Sequence, residues 1–436
     1  MRPASTDRLR AVPWRSLRAD LALPAIERVL AGAAAEREID RTLRAHRALS
    51  SGERTALVEA IFGVALWRRR LAVQAGSNDP RALLCALLRD LGDVEGDAAA
   101  ALSGLAPTQA PGTRVSPAAM SSQVDMDARS DRSREPLTLA ERWSLPDWLA
   151  ALFERELGMP GAEAFAASIC APGPICLRAN GLLCTREQLI AQLAREGVAT
   201  RPAVLAQHGL VVTSARPNLL ALPSYREGLF EVQDEGSQLV GALVGARPGD
   251  TVLDFCAGAG GKSLLLAADL GDRGEVIAHD VDEARLARLV SRAARAGATC
   301  IRTGPPAAAD RVLVDAPCSE LGTLRRGPDA RWRSSEESAA RMPALQRSLL
   351  DQAAPFARHL LVYATCTLRR EENEDVALSF VRTHREFVRV PPSSCATDDG
   401  YFRCLPHLHG TDAFFAAVWE RRSPLRPSAS GARTGR

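Results

Sequence analysis

The chain has 436 residues and a formal net charge of +3. A single hydrophobic core stops growing near roughly 250 to 300 residues, so this length excludes a one-domain protein and we expect two or three domains. Hydrophobic residues make up 46% of the chain and charged residues 25%, which excludes a wholly disordered or fibrous protein. The sequence contains no apolar run long enough for a membrane helix, so we expect a cytoplasmic protein without membrane contact.

The first predicted element is a helical region. Apolar residues recur at helical spacing between about residues 22 and 95, among them Leu23, Ile26, Leu57 and Ile61. Residues 1–95 are therefore predicted to form a helical domain. From residue 96 to residue 138 the composition shifts to Gly, Ala, Pro, Ser and Thr, which predicts a flexible linker.

An α+β module is predicted next, at residues 139–235, from short strand candidates and a helix at 186–195. From Asp250 onward strands and helices alternate, with strands expected at 251–255, 275–279, 298–301, 311–314, 359–364, 387–390 and 414–419. Such alternation is typical of βαβ units on a mainly parallel sheet. We therefore expect a Rossmann-like α/β domain at residues 236–421, followed by a disordered basic tail at 422–436.

A Gly-rich segment follows the first strand of that domain. A P-loop requires Gly where the chain has Cys256, and a dinucleotide fingerprint requires Gly where it has Ser263. The looser loop of S-adenosylmethionine-dependent methyltransferases fits better, with acidic residues, Asp254 and Asp280, at the ends of two successive strands. A carboxylate at the second position can accept hydrogen bonds from both hydroxyls of a ribose. The open alternative for Asp280 is a helix cap, because a helical pattern follows it.

Lys262 ends this loop and is the only lysine in the chain. Every other residue in the combined count of lysine and arginine is an arginine. Chance is one interpretation, and a site that needs a compact ammonium instead of a planar guanidinium is the other.

Ten cysteines occur without a CxxC pair or regular spacing, so neither disulfides nor a metal site is expected. Two of them, Cys318 and Cys366, each follow the carboxyl end of a predicted strand. In a methyltransferase-like strand order these strands are neighbours, so both thiols and Asp315 are expected to converge beside the cofactor pocket. For either cysteine alone, a structural role at a buried strand end is the alternative.

Paired thiols beside a methyl donor suit one particular reaction. The C5 atom of cytosine is too weak a nucleophile to take a methyl group directly, but a thiolate that adds to C6 makes C5 reactive. A carboxyl group hydrogen-bonded to N3 stabilises the addition. A second basic group is useful for removing the C5 proton and expelling the first thiolate, so the pattern suits methylation of cytosine C5 in a polynucleotide.

These motifs together resemble the Sun, or RsmB-like, family of RNA cytosine-5 methyltransferases over about residues 140 to 421. The resemblance implies that Cys366 is the nucleophile, that Cys318 assists product release and that Asp315 contacts the cytosine. It also implies S-adenosylmethionine as cofactor, bound by the residues Cys256, Ala257, Gly258, Ala259, Gly260, Gly261, Lys262, Asp280 and Asp315.

Further matches to the family extend beyond the loop and the two cysteines. They are residues 232–238, 322–326, 328–329, 331–332, 372–374 and 412–415, while residues 177–180 resemble the accessory RNA-binding module of the family. The side chains expected to contact RNA are Arg178, Arg325, Arg326 and Arg331.

Two departures from the family pattern bear on the cofactor site. Ala259 stands where the family usually has a proline, and residues 302–306 lack the acid that normally follows the third strand. Residues 1–95 show a patchy likeness to a NusB-like domain, mainly around Leu49 to Leu71.

We therefore expect a monomeric, metal-free enzyme that methylates cytosine C5 in RNA, with ribosomal RNA as substrate. Two alternatives stay open. The missing acid and altered loop motivate a non-catalytic RNA-binding or ribosome-assembly factor on the same fold. An enzyme of the same type that acts on tRNA is the second alternative.

Overall fold

The structure is a computed structural model, and it describes residues 7–106, 137–214, 217–327, 329–392 and 394–422. The chain divides into two compact units: Met1–Gly173 with Thr323–Ala339, and Pro174–Gly322 with Ala340–Arg436. Across the described ranges, no helix has the length and apolar character needed to cross a bilayer. The predicted tail beyond Arg422 lies outside the described residues.

The first unit is helical. Its longest amino-terminal helix, Ser51–Ala75, begins at a capping box in which Ser50 and Glu53 bond to each other's backbone, and it ends at Gly76. The α-helices assigned to this unit are Asp7–Arg10, Ala19–Leu30, Ala35–Ala45, Ser51–Ala75, Pro80–Ala86, Gly96–Ser103, Leu139–Arg142, Asp147–Ile169 and Ala330–Arg333.

The helix Gly96–Ser103 lies inside the range predicted as a linker, so the linker prediction is wrong for these residues. Ala99 and Ala100 are fully buried, and the Ser103 hydroxyl donates to the Ala99 carbonyl. An alanine run favours helix even where its composition resembles a linker, because alanine loses no side-chain entropy. The predicted linker from 107 to 136 lies outside the described residues.

The second unit contains a small antiparallel sheet and a larger mixed sheet. The strands of the small sheet are β1 (Cys176–Ala179), β2 (Thr200–Pro202), β3 (Gly209–Val212) and β4 (Phe230–Val232). Their order in the sheet is β2-β3-β1-β4, and the helix Arg186–Arg195 packs against it. A short helix, Pro223–Arg226, precedes β4.

The larger sheet has eight strands: β5 (Thr251–Asp254), β6 (Glu275–Ala278), β7 (Ile301–Thr303), β8 (Ala309–Asp315), β9 (Ala357–Thr365), β10 (Phe387–Val390), β11 (Phe402–Cys404) and β12 (Phe414–Arg421). Their order is β10-β12-β9-β8-β5-β6-β7, with β11 also pairing to β12. The accompanying helices are Glu235–Ala242, Gly261–Asp269, Glu283–Ala296, Glu336–Ala353, Glu374–Thr383 and Pro406–His409.

Strands β5 to β9 pair in parallel, and β12 pairs antiparallel to β9, which confirms the predicted Rossmann-like fold. Successive side chains of a strand point to opposite faces, so Val252 packs in one core layer and Leu253 in the other. Leu266 and Leu289 cover the first face, while Leu350 and Phe380 cover the second. Burying each of these side chains stabilises the fold by about 1.5 to 3 kcal/mol.

The predicted strand at 298–301 is displaced: β7 begins at Ile301. The backbone N–H groups of Thr299 and Cys300 donate to the Asp272 carboxylate, which holds this segment in a turn. Strand β11 was not predicted, because three residues are too few to show an alternating pattern.

Candidate active site

The turn after β5 brings the backbone close to the end of the sheet. Gly258 and Gly260 have φ angles of 55° and 85°, in the left-handed region that favours glycine. A Cβ on Gly260 would lie 2.5 Å from Leu289 Cγ, whereas a Cβ on Gly258 would meet no atom within 4 Å. The helix Gly261–Asp269 begins here without a side-chain cap, so its first N–H groups suit a ligand carboxylate.

Asp254 ends β5 and is buried, with 1% of its surface exposed. Its Oδ2 accepts a hydrogen bond of 2.7 Å from the Ser263 hydroxyl, but its buried Oδ1 has no hydrogen-bond partner among the described residues. Burial raises the pKa of Asp254 to about 7, against the opposing effect of the Ser263 bond. Asp254 therefore offers an unsatisfied acceptor beside the loop.

Asp280 lies just past β6 and contacts the glycine loop directly. Its Oδ2 accepts from the Gly258 N–H at 2.8 Å, and its Oδ1 accepts from the Asp282 N–H at 2.8 Å. The helix Glu283–Ala296 is capped by Asp282, whose side chain accepts from the Arg285 N–H. The capping role considered for Asp280 thus belongs to Asp282, and Asp280 fixes the loop against the end of β6.

Lys262 and Asp315 form a close ion pair at the same edge of the sheet. Lys262 Nζ donates to Asp315 Oδ2 at 2.6 Å and lies 5.4 Å from the centre of the Phe414 ring. Lys262 is 8% exposed, so its ammonium occupies a narrow slot between a carboxylate and an aromatic face. This geometry supports the interpretation that the position needs a lysine.

The two predicted cysteines lie side by side. Strands β8 and β9 are parallel neighbours, and Cys318 Sγ and Cys366 Sγ are 3.2 Å apart. The Cys366 backbone N–H also donates to Cys318 Sγ at 3.3 Å. The hydrogen bond with Cys318, and then burial, raise the pKa of Cys366 well above its ordinary value. The Cys366 thiol is therefore protonated at neutral pH.

Sequence reasoning missed the groups that hold these cysteines. Glu372 and Asn373 carry side chains that bond to residues flanking Cys318 and Cys366. The only signal in the sequence was that residues 372–374 match the family pattern.

Two of the four predicted RNA contacts are incorrect, because their side chains are buried. Arg331 has no exposed surface and donates to the Ile169 carbonyl at 3.1 Å, and Arg178 is 4% exposed. Arg325 is partly buried and Arg326 is exposed. Only these last two remain candidates for contact with RNA.

Comparisons with known proteins place the chain among methyltransferases. A model described as 16S rRNA methyltransferase RsmB/F matches residues 242–420. A model described as a Methyltr_RsmF/B-like, ferredoxin-like domain matches residues 145–218, which include part of the small sheet.

Two similar proteins are named probable ribosomal RNA small subunit methyltransferase B. The one from Synechocystis sp. is 34% identical over 304 residues, which cover 65% of this chain and 68% of that protein. The one from Bacillus subtilis is 32% identical over 305 residues, with the same two shares of 65% and 68%.

Solved structures show the same fold. PH0851 superposes with a TM-score of 0.73 at 23% identity, covering 92% of this chain and 98% of that one. NSun6 from Pyrococcus horikoshii, solved with SFG, gives 0.58 at 20% identity, covering 64% and 99%. The two sequence relatives and the matching family model, independently of these superpositions, establish that the chain belongs to the RsmB/F methyltransferase family.

Proposed function

We propose that this protein transfers a methyl group from S-adenosylmethionine to C5 of a cytosine in ribosomal RNA. The observation that carries the proposal is the 3.2 Å approach of Cys318 Sγ to Cys366 Sγ at neighbouring strand ends. The names of the relatives support the substrate. One of them, named 26S rRNA (cytosine-C(5))-methyltransferase nsun-1, from Caenorhabditis elegans, is 29% identical over 328 residues and 49% of that protein is covered.

The residues around the glycine loop fit S-adenosylmethionine. The open space above Gly258 admits a ligand, and the uncapped helix start at Gly261 suits its carboxylate. Asp280 stands where a carboxylate can accept from a ribose diol, and Asp254 offers a buried acceptor. When bound, S-adenosylmethionine supplies the electrophilic methyl group.

The two thiols divide the remaining chemistry. As the Cys366 sulfur adds to C6 of the cytosine, the thiol proton passes to N3, so that an S–C6 bond forms and an electron pair becomes available at C5. Once C5 carries the methyl group, Cys318 accepts the C5 proton in its thiolate form. The electrons of the C5–H bond restore the C5–C6 double bond, and the Cys366 sulfur leaves with the S–C6 electron pair and takes back the proton from N3. The Asp315 carboxylate, oriented by Lys262, accepts a hydrogen bond from the protonated N3 of the base and so stabilises the addition.

The substrate base must leave its stack before a thiolate can reach C6. Aromatic residues make up only 5% of the chain, so phosphate contacts are expected to dominate affinity and to make it strongly dependent on salt. Arg325 and Arg326 are the arginines that we propose for these contacts.

Adduct trapping tests the proposal. A transcript of small-subunit ribosomal RNA is incubated with S-adenosylmethionine, and covalent complexes are separated on a denaturing gel. Cys318→Ala should accumulate a protein–RNA adduct, because the C5 proton is no longer removed. Cys366→Ala should form no adduct and transfer no methyl group, while Cys300→Ala, which alters a cysteine outside the pair, should behave like the wild type. Normal turnover by Cys366→Ala would refute the assignment.

The absence of an acidic residue in 302–306 keeps a second function under test. A non-catalytic assembly factor would bind RNA but would not bind S-adenosylmethionine, even at millimolar concentration, in a calorimetric titration. Bisulfite sequencing of RNA from a deletion strain then distinguishes ribosomal RNA from tRNA as the substrate, because only the true target loses its protected cytosine.

A further inference from the structure

We propose that Glu372 and Asn373 are positioning residues that hold two cysteine-bearing loops against each other. These are the Cys318 loop (residues 317–319) and the Cys366 loop (residues 365–367). The proposal rests on the function proposed above, in which both sulfurs act on the same base. It assigns a role to a segment that lies just before the helix Glu374–Thr383 and that the mechanism does not otherwise use.

Glu372 fixes the Cys318 loop through its carboxylate. Its Oε2 accepts from the Ser319 backbone N–H at 2.9 Å, and its Oε1 accepts from the Ser319 hydroxyl at 2.5 Å. The side chain of Gln346 donates both to this carboxylate and to the Pro317 carbonyl, each at 3.0 Å. Glu372 has no exposed surface, so water cannot replace these bonds.

Asn373 fixes the Cys366 loop from both ends. Its Oδ1 accepts from the Thr365 hydroxyl at 2.5 Å, and its Nδ2 donates to the Thr367 carbonyl at 3.1 Å. Asn373 is 1% exposed. Two adjacent residues of one segment therefore each hold a different cysteine loop.

A hydroxyl pair joins the two loops directly. Ser319 Oγ and Thr367 Oγ1 are 2.9 Å apart. Because the single Ser319 hydroxyl proton is donated to Glu372, the Thr367 hydroxyl is the donor in this contact. The charge on Glu372 thus fixes the direction of a hydrogen-bond chain that crosses between the residues next to Cys318 and Cys366.

Glu372→Gln is the informative substitution. The carboxylate receives three donors, two from Ser319 and one from Gln346, whereas a carboxamide has one acceptor oxygen and an NH₂ group that also donates. At least one donor then faces another donor, and the Cys318 loop must shift. Since a displacement of about 1 Å can cost about 100-fold in rate, we expect kcat to fall by about 10- to 100-fold with the Kd for RNA changed by less than about twofold.

Two further variants make the result specific. Asp375→Asn removes a carboxylate from the helix that follows this segment. Among the contacts described, this carboxylate bonds only the exposed Arg370, so the variant should keep wild-type kcat. Ser319→Ala removes the hydroxyl that bonds to Thr367 of the other loop, but it leaves the hydrogen bond from the Ser319 backbone N–H to Glu372. It should lower kcat by about tenfold, and it serves as the test if Glu372→Gln does not fold.

A thiol probe provides a readout that does not depend on RNA. Phenylarsine oxide bridges two adjacent thiols through its arsenic atom, with loss of one water molecule, and peptide mapping by mass spectrometry locates the bridge. Wild type should form a bridge between Cys318 and Cys366, and Glu372→Gln should form it about tenfold more slowly, because the sulfurs are no longer held together. Cys318→Ala should form no bridge at this site.

The outcomes separate the two proposals. Unchanged kcat together with an unchanged bridging rate in Glu372→Gln and Ser319→Ala would overturn the positioning role. If the wild type bridges faster than both variants but methylates no RNA, the positioning role stands and the proposed function fails.

Discussion

Lys262 Nζ lies 2.6 Å from Asp315 Oδ2, so the cation that follows β5 holds the carboxylate that ends β8. The two strands are parallel neighbours, which places both side chains at the same edge of the sheet. Through this pair, the loop proposed for the cofactor is connected to the acid proposed for the substrate base. The distance between this loop and the Asp315 carboxylate therefore depends on the shape of the Lys262 side chain.

Lys262→Arg should therefore impair methyl transfer while keeping the charge. A guanidinium is wider than an ammonium and cannot occupy the slot between Asp315 and Phe414 without moving one of them. We expect kcat to fall by at least about tenfold, measured with labelled S-adenosylmethionine. Lys262→Met removes the charge as well and should lower the free energy of unfolding by about 2 kcal/mol, because Asp315 loses its partner but stays partly solvated. Wild-type kcat in Lys262→Arg would contradict this account.

Gly322→Ala should disturb the Cys366 loop by a backbone clash. A Cβ at this position would lie 2.3 Å from the Ala413 carbonyl oxygen and 2.7 Å from the Cys366 carbonyl oxygen. Both are backbone atoms, so the loop must move, and we expect a loss of about 1 to 3 kcal/mol of stability in urea unfolding. Adduct formation by the Cys318→Ala protein should fall when this change is added. Gly304→Ala is the control, since its Cβ would meet only the flexible Arg302 side chain at 3.6 Å.

Arg331→Met should lower the stability of the protein, whereas Arg326→Met should weaken its binding to RNA. Arg331 is buried and donates to backbone carbonyls of Trp143 and Ile169, so its loss should lower the free energy of unfolding by about 1 to 3 kcal/mol. Arg326 is exposed, and its loss should weaken RNA binding and reduce the slope of log K against log salt by about one. Filter-binding titrations at several salt concentrations measure the second effect. A smaller slope of log K against log salt in Arg331→Met, measured at a temperature where the variant is folded, would contradict the exclusion of the buried Arg331 from RNA contact.

The approach of Cys318 to Cys366 could be predicted from the sequence because it depends on strand order. Each cysteine follows an apolar strand, and neighbouring parallel strands end at one edge. The role of Glu372 could not be predicted in the same way, since Ser319 and Gln346 lie 53 and 26 residues away along the chain. A glutamate before a helix has a local explanation in the helix dipole, which conceals its long-range contacts.

Arg331 shows the same limit. It belongs to an Arg-rich stretch that resembles an RNA-binding surface, but its partners Trp143 and Ile169 are 188 and 162 residues away. Charge patterns predict which residues can bind a polyanion, whereas burial is decided by contacts that no local pattern contains.

Removing Cys318 should make Cys366 ionise at lower pH. The hydrogen bond with Cys318 is the largest cause that raises the pKa of the Cys366 thiol, so Cys318→Ala should lower that pKa. A raised pKa means that the thiol is protonated at neutral pH and becomes reactive only as pH rises. The rate of Cys366 alkylation by iodoacetamide, followed by peptide mass spectrometry, should therefore reach its midpoint at lower pH in Cys318→Ala than in wild type. Greater access alone would raise the plateau rate without moving the midpoint.

Cys300, whose pKa is raised to about 12 by burial and by Asp272, is the internal control and should keep the same dependence of alkylation rate on pH. An unmoved midpoint at Cys366 would mean that Cys318 does not control its proton.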